Sequence, residues 1–437
     1  MNKLFFALSL AGGLAFNLHA GETLRLKLEP EQEFILSGSP QEVVVKIDLA
    51  ATRLKGDHRR RTPLNLAIVL DKSGSMSGAK IEKTRQAAMQ LVDRLGPDDF
   101  ISVVTYSDSV EVLFPAQKVD GAERLKSCIS QIQAGGSTAL YAGVQAGAEE
   151  LEKHFSAKRI NRVILLSDGL ANVGPKSPAE LRRLGRQLSE RGIAVTTVGV
   201  GDDYNEDLMA GLAEASDANY YYVQDTEKLS EIFAKELGEL ITVAAREIRI
   251  EIICPNGVKP IGLIGRPEKF EGQTAVVKLS QFASGQQRYL FLKCQVEREK
   301  SEIAQVNISY VDDLNGGRRE SVSQNATVRY TKDSKVAAKS MRQEIAAQKE
   351  LVVTAVAKDE ALAFCDAKNF KAAQERLSQQ TLALQECAKT APASAQTQLK
   401  QEIQNLQERQ NQIGNGQYDK SFRKSLQSES YNTRNSK

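Results

Sequence analysis

The residues best suited to chemistry in this chain follow an uncharged, mostly apolar run at positions 64–70. They are Asp71, Ser73 and Ser75, three oxygen-bearing side chains at alternate positions. Gly74 between the two serines allows a tight backbone, and oxygen ligands of this kind suit a hard cation such as Mg²⁺. By itself the Asp-x-Ser-x-Ser pattern is weak evidence, because solvated turns and helix caps use the same residues.

Two later stretches also contain oxygen-bearing side chains that suit the same kind of cation. Residues 135–138 read Gly-Gly-Ser-Thr, and the apolar run 163–166 ends in Ser167-Asp168-Gly169. A continuous apolar run bounded by turn residues is typical of a strand buried on both faces of a parallel sheet. In open α/β sheets, ligands bind at the carboxyl ends of such strands. The pattern therefore places Asp71 and Asp168 at a ligand-binding edge.

Together, these stretches closely resemble the von Willebrand factor type A domain with an intact metal-ion-dependent adhesion site. The similarity covers about residues 62–240. The phrases at residues 169–174 (Gly-Leu-Ala-Asn-Val-Gly) and 95–99 (Leu-Gly-Pro-Asp-Asp) are similar to the inter-alpha-trypsin inhibitor heavy-chain and calcium-activated chloride channel-like branch, including its exported bacterial members.

The resemblance implies a role for each of five residues. Ser73 and Ser75 would bind the ion directly, and Thr138 would do so in the ligand-competent state. Asp71 and Asp168 would act mostly through bound water. The ion would be Mg²⁺, with Mn²⁺ or Ca²⁺ as alternatives. An ion ligated mainly by neutral hydroxyls stays electrophilic, so we expect it to bind an Asp or Glu carboxylate of a partner protein.

Two functions from different classes fit these features. The first is an exported, metal-dependent protein-binding module of the adhesion type. The second is a structural or assembly scaffold whose metal site only stabilises the domain. Catalysis is not expected, because the chain after the first twenty residues contains only His58 and His154, and Asp-Ser pairs without a histidine do not form a nucleophilic triad.

Two other polar or aromatic clusters have ordinary explanations. The acid-rich residues 202–207 have the composition of a second cation site, but N-capping of the next helix is favoured. The triplet Tyr220-Tyr221-Tyr222 has the rings for a ligand platform, but a short edge strand is favoured because aromatic residues suit strands.

Composition and the N-terminus indicate export. The formal net charge is +3, and removal of residues 1–20 deletes Lys3 and no acid, leaving +2. This near balance does not favour nucleic-acid binding, which needs a concentrated basic face. Residues 1–20 have the layout of a secretory signal with cleavage after Ala20; an uncleaved anchor is the alternative. No later segment is apolar enough to span a membrane, so we expect a secreted or periplasmic protein.

The five cysteines leave at least one without an internal partner. Cys254 and Cys294 lie in β-patterned sequence, and a bridge between them is left open. Cys365 and Cys387 lie on two helical runs and are expected to be about 25 Å apart along the helix axis, which is beyond disulfide reach. Cys128 is interpreted as a small buried hydrophobic residue.

The hydrophobic pattern changes period along the chain. Residues 62–241 alternate strand and helix patterns, which predicts a doubly wound, mostly parallel α/β sheet. Residues 21–61 and 242–331 alternate with period two and are predicted to form one discontinuous β-sandwich into which the α/β domain is inserted. Residues 332–412 predict a C-terminal α-helical bundle, and residues 413–437 predict a disordered tail.

Overall fold

The computed structural model describes residues 23–53, 61–297 and 299–435. The signal segment predicted for residues 1–20 and the connector residue His58 lie outside the described residues. Within the described ranges, no helix is both long enough and apolar enough to cross a membrane. The chain folds into a β-sandwich, an α/β domain and a helical region.

The first segment is entirely β. Its strands are β1 (Leu24–Pro30), β2 (Phe34–Leu36) and β3 (Gln41–Ala51). Strands β1 and β3 pair antiparallel along the whole of β1. Leucines at alternate positions of β1, Leu24 and Leu26, point into the core, as the period-two pattern predicts.

The α/β domain follows. Its strands are β4 (Leu64–Asp71), β5 (Phe100–Tyr106), β6 (Val110–Lys118), β7 (Ile160–Ser167), β8 (Ile193–Val200) and β9 (Tyr220–Val223). Its helices are α1 (Ala79–Val92), α2 (Ala122–Ser130), α3 (Leu140–Glu152), α4 (Pro178–Glu190), α5 (Glu206–Ala215) and α6 (Leu229–Ile241). The sheet order is β6-β5-β4-β7-β8-β9.

Both faces of this sheet are covered by helices, which confirms the doubly wound fold. Helices α1, α2 and α6 pack on one face, and α3, α4 and α5 pack on the other. Every residue of β4, β5, β7 and β8 is buried, which explains their continuous apolar sequences. All neighbouring strands are parallel except β5 and β6.

The sequence pattern did not predict β6, the antiparallel edge strand. It is partly exposed and contains Pro115. Proline cannot donate to a sheet ladder, so it is confined to edge strands and bulges. The pairing of β6 with β5 shifts register twice, and this irregular pairing leaves no clear alternation in the sequence.

The second β segment completes the sandwich. Its strands are β10 (Val243–Ile253), β11 (Val258–Leu263), β12 (Thr274–Ala283), β13 (Gln287–Val296), β14 (Glu302–Asp312), β15 (Arg318–Thr327) and β16 (Arg329–Thr331). The two sheets have the orders β1-β3-β13-β11 and β12-β10-β14-β15, and β16 pairs with β2. Because β3 pairs with β13 over its length, the two β segments form one core, and the predicted insertion is confirmed.

The chain ends in helices. They are α7 (Ser334–Lys339), α8 (Gln343–Asp366), α9 (Phe370–Thr390), α10 (Ala393–Gly414) and α11 (Lys420–Arg434). Helices α8 and α9 are joined by a turn at residues 367–369, and the apolar faces of α8 to α11 share one core. All five cysteines are free thiols in this structure, and Cys254 and Cys294 are buried in the sandwich.

The disordered tail predicted for residues 413–437 is wrong across α11. Asp419 caps this helix by accepting a hydrogen bond from Phe422 N at 2.8 Å. Tyr431 is 2% exposed and packs edge-on against Tyr220 of the α/β domain. The tail has few apolar residues, but Phe422, Leu426 and Tyr431 are buried, and its cations pair with acids far away in sequence.

Candidate metal centre

The first loop of the candidate site follows β4. Asp71, the last residue of that strand, is fully buried. Its Oδ1 accepts a hydrogen bond from Ser73 N at 2.8 Å, and its Oδ2 accepts one from Ser167 Oγ at 2.8 Å. Ser73 Oγ and Ser75 Oγ lie 3.1 Å apart. The strand end therefore places a buried carboxylate directly beneath a pair of hydroxyls.

The second loop contains Thr138 and is tied to the first. Gly74 N donates to Gly136 O at 2.9 Å. Gly136 has φ +84°, and a Cβ atom there would lie 2.3 Å from Asp108 Oδ2, so this position requires glycine. Thr138 is 3% exposed, and its N–H donates to Asn172 Oδ1 at 2.8 Å. These bonds fix the backbone that carries the threonine side chain.

The third loop follows β7 and completes the cluster. Asp168 is fully buried, and its Oδ1 accepts a hydrogen bond from Ser75 Oγ at 2.7 Å. The next residue is a glycine that opens a small space beside the hydroxyls. A Cβ atom built on that glycine would lie 3.1 Å from Thr138 Oγ1, 3.2 Å from Ser75 Oγ and 3.7 Å from Ser73 Oγ. All five residues expected from the sequence are thus brought together.

The electrostatics of the cluster suit a cation. Burial raises the pKa of Asp71 to about 6, against opposing hydrogen bonds from Ser73 and Ser167. Asp168 forms an ion pair with Lys80 of α1, with Nζ and Oδ2 2.6 Å apart. Within the described ranges, no three His, Cys, Asp or Glu residues cluster as metal ligands. The candidate centre is therefore a hydroxyl site flanked by two carboxylates, and its donors are the hard oxygens that Mg²⁺ prefers.

Some supporting residues were not recognised from the sequence. Ser167, Asn172 and Lys80 position Asp71, Thr138 and Asp168 respectively, through the bonds given above. Ser167 lies in the stretch 163–169 and Asn172 in the stretch 169–174. Their polar side chains lie at or just after the end of a buried strand, so a supporting role could have been recognised from the sequence. Lys80 had no such signal, because the sequence does not show that its side chain lies beside Asp168.

The other sequence candidates have structural roles. Asn205 caps α5 through hydrogen bonds from Asp207 N and Leu208 N, so the favoured capping interpretation is confirmed. The neighbouring acids pair with cations of α11. The tyrosine triplet forms β9, an edge strand as favoured. His154 Nε2 lies 3.0 Å from Ala116 O, and its ring packs on Phe100.

The comparison with protein families decides the identity of the α/β domain. Residues 65–235 match the family model of the von Willebrand factor type A domain. Residues 65–235 therefore form a von Willebrand factor type A domain. Domains of this family are protein-interaction modules, and those with the adhesion-site motif bind a divalent metal.

Proteins similar to this chain occur in bacteria and animals. It is 28% identical over 285 residues to the uncharacterized protein sll0103 of Synechocystis sp., an alignment that covers 62% of this chain and 67% of that protein. It is 28% identical over 159 residues to inter-alpha-trypsin inhibitor heavy chain H3 of Mesocricetus auratus, covering 35% of this chain but only 18% of that protein.

Solved structures share its architecture beyond the von Willebrand factor type A domain. A von Willebrand factor type A structure from Catenulispora acidiphila superposes with a TM-score of 0.67 at 17% identity, covering 84% of this chain and 87% of that one. The ArnB paralog VWA2 from Sulfolobus acidocaldarius gives a TM-score of 0.60 at 17% identity, covering 95% and 99% respectively. These similarities establish the fold.

Proposed function

We propose that this protein is a metal-dependent protein-binding module that binds an acidic residue of its partner through a divalent ion. The observation that carries the proposal is the convergence of the Ser73, Ser75 and Thr138 hydroxyls beside Gly169. Asp71 and Asp168, both fully buried, flank these hydroxyls. In this proposal, the hydroxyls bind the ion directly, and the carboxylates balance its charge.

The choice of Mg²⁺ follows from the donor set. The five side chains supply only oxygen atoms, which are hard ligands, and Mg²⁺ retains waters where the protein supplies few donors. Mn²⁺ and Ca²⁺ accept the same ligands and are the alternatives. When bound, the ion would supply a positive charge, and a partner's carboxylate would complete its coordination.

Access to the cluster supports a partner rather than a purely internal role. Ser75 is exposed although Ser73 and Thr138 beside it are buried. Leu170, in the loop after Asp168, is an apolar side chain that is 56% exposed. An exposed hydroxyl next to an exposed apolar residue is the kind of surface that a protein partner contacts. We assign no catalytic role to the cluster, since His154 lies against the Ala116 carbonyl.

Export is part of the proposal. The first twenty residues have the charge and apolar pattern of a secretory signal. We infer that the mature protein begins after Ala20 and works outside the cytoplasm, where its partner would be another exported or surface protein.

The alternative is a scaffold whose metal site only stabilises the fold. It is favoured by the ion pairs that tie the last helix to the α/β domain, such as Lys424 with Glu206, because such pairs fix the position of one part of the chain on another. In that case the ion would contribute to stability and not to recognition.

Thr138→Ala separates the two functions. The substitution removes one hydroxyl from the cluster and leaves both carboxylates in place. If the protein is a binding module, Mg²⁺-dependent and EDTA-reversible capture of its partner from an extract of exported proteins is lost in the variant. If the wild type shows no Mg²⁺-dependent capture and Thr138→Ala lowers only the melting temperature, the scaffold is the correct assignment.

A further inference from the structure

A lysine occupies an unfavourable position beside the candidate metal centre. Lys80 is the second residue of α1, which begins at Ala79 after Gly78. The N-terminus of a helix carries partial positive charge, so acids are stabilising there and cations are not. Local rules of this kind are broken mostly at functional or strained sites, so the contacts of this lysine matter.

The contacts of Lys80 show what it does. Its ammonium group lies 2.6 Å from Asp168 Oδ2, and Asp168 is fully buried. The other oxygen, Asp168 Oδ1, accepts the hydrogen bond from Ser75. Thus one carboxylate oxygen accepts a hydrogen bond from the hydroxyl cluster and the other is paired with the lysine. A Cβ atom at Gly201 would lie 3.6 Å from Lys80 Nζ, so the loop after β8 packs against the ammonium.

Asp71 lacks a comparable partner. Its two oxygens accept hydrogen bonds from Ser73 N and Ser167 Oγ, and no Lys or Arg ion pair to it occurs within the described ranges. The two carboxylates and the one ammonium therefore leave a single net negative charge at the cluster. A divalent ion turns this into one net positive charge. Without Lys80, the same ion would be neutralised by the two aspartates alone.

We propose that Lys80 is a specificity-determining residue that weakens metal binding and keeps the bound ion in need of an external carboxylate. This inference rests on the proposed metal-dependent function and adds to it the residue that sets the balance between metal affinity and partner affinity. The physical cause is the repulsion between the ammonium and the ion, which is strong at short range in a partly buried site.

The test is Mn²⁺ binding by calorimetry to the chain from Gly21 to Lys437, with and without acetate as a minimal carboxylate. Lys80→Met removes the charge and keeps most of the side-chain length, whereas Lys80→Arg keeps the charge. Lys83→Met is the matched control on the same helix, since Lys83 pairs with the 66% exposed Glu227 and not with the cluster. Lys80→Gln serves as a second neutral variant if Lys80→Met does not fold, with folding checked by circular dichroism in EDTA.

We expect Lys80→Met to bind Mn²⁺ about tenfold more tightly than the wild type, with Lys80→Arg and Lys83→Met close to the wild type. Acetate should tighten Mn²⁺ binding in the wild type and have a smaller effect in Lys80→Met. Unchanged or weaker binding by Lys80→Met would overturn the inference while leaving the metal site intact. Absence of Mn²⁺ binding in the wild type and in both neutral variants would overturn the proposed function as well.

Discussion

Lys424 of α11 and Glu206 of α5 form a buried ion pair, with 2.6 Å between Nζ and Oε2. The lysine side chain is 2% exposed and the glutamate side chain 7% exposed. Arg423 donates to the second oxygen of the same glutamate at 2.6 Å. The last helix of the chain is thereby attached to the α/β domain, next to the loop that contacts Lys80. The C-terminal residues are an integral part of the fold.

Glu206→Gln should destabilise this attachment by about 3 kcal/mol, because removing one member of a buried ion pair leaves the other charge uncompensated. Urea unfolding followed by circular dichroism measures the loss. Asp203→Asn is the control: its partner is Lys420, and both side chains are about two-thirds exposed, at 66% and 67%. An exposed pair contributes about 1 kcal/mol or less. Equal effects of the two variants would contradict the assigned role of Glu206.

Because of the Lys424–Glu206 ion pair, we expect the folding stability to depend on pH in the acid range. Burial alone would raise the pKa of Glu206, but hydrogen bonds from Lys424 and Arg423 hold the pKa below its ordinary value. A carboxyl with a depressed folded-state pKa stabilises the protein above its unfolded pKa, and this contribution is lost as the pH falls. The difference in stability between wild type and Glu206→Gln should therefore shrink below about pH 4. A constant difference down to pH 3 would contradict the assignment.

In metal-free protein, we expect Asp71 to make the folding stability fall as the pH rises, which is opposite to the effect of Glu206. Its pKa is raised to about 6 by burial, from an ordinary value of 3.8. The folded state therefore binds the proton more tightly than the unfolded state, and stability falls as the pH rises from about 4 to 6. In EDTA, the wild type should lose about 3 kcal/mol relative to Asp71→Asn across this interval. Urea titrations at stepped pH measure the difference, and parallel pH profiles would contradict the prediction.

Metal binding should reverse that loss. The ion requires the deprotonated carboxylate, so protons and metal compete for Asp71. We expect the Mg²⁺-induced rise in melting temperature to grow between pH 5 and pH 7. A rise that is independent of pH over this range would show that Asp71 takes no part in binding the ion.

Gly169→Ala tests the geometry of the hydroxyl cluster. The added methyl group enters the space between the three hydroxyls, 3.1 Å from Thr138 Oγ1 and 3.2 Å from Ser75 Oγ. We expect Mn²⁺ affinity to fall by at least about tenfold, the scale seen when the residues supporting a metal site are disturbed. Gly135→Ala is the matched control, because a Cβ there meets no atom within 4 Å. Neither glycine has a positive φ. Retained affinity in Gly169→Ala would place the ion elsewhere.

Much of the α/β domain could be predicted because short, continuous sequence patterns determine its strands. The runs that became β4 and β7 are continuously apolar, as strands buried on both faces must be, and each ends in an acid at the ligand-binding edge. The period-two pattern of the flanking segments likewise predicted strands. Their assignment to one sandwich followed because the first segment has too few strands to form a stable sandwich alone.

The features that were missed depend on residues distant in sequence. Helix α11 has low apolar content and is fixed by acids more than two hundred residues earlier. Lys80 contributes to the site only because the fold brings α1 beside the end of β7. Pro115 argues against a central strand, and only the sheet order shows that it lies on an edge. Pairings of this kind leave no trace in a hydrophobic pattern.

The most direct test of the metal centre is the melting temperature of the chain from Gly21 onward in EDTA, Mg²⁺, Mn²⁺ or Ca²⁺, beside Asp71→Ala. A ligand of the native state stabilises by about 2.7 kcal/mol at a hundredfold excess over its dissociation constant. We expect Mg²⁺ or Mn²⁺ to raise the melting temperature of the wild type and Asp71→Ala to abolish the rise. If no divalent ion shifts either the wild type or Lys80→Met at millimolar concentration, the chain does not hold a metal at this site and the proposed function is wrong.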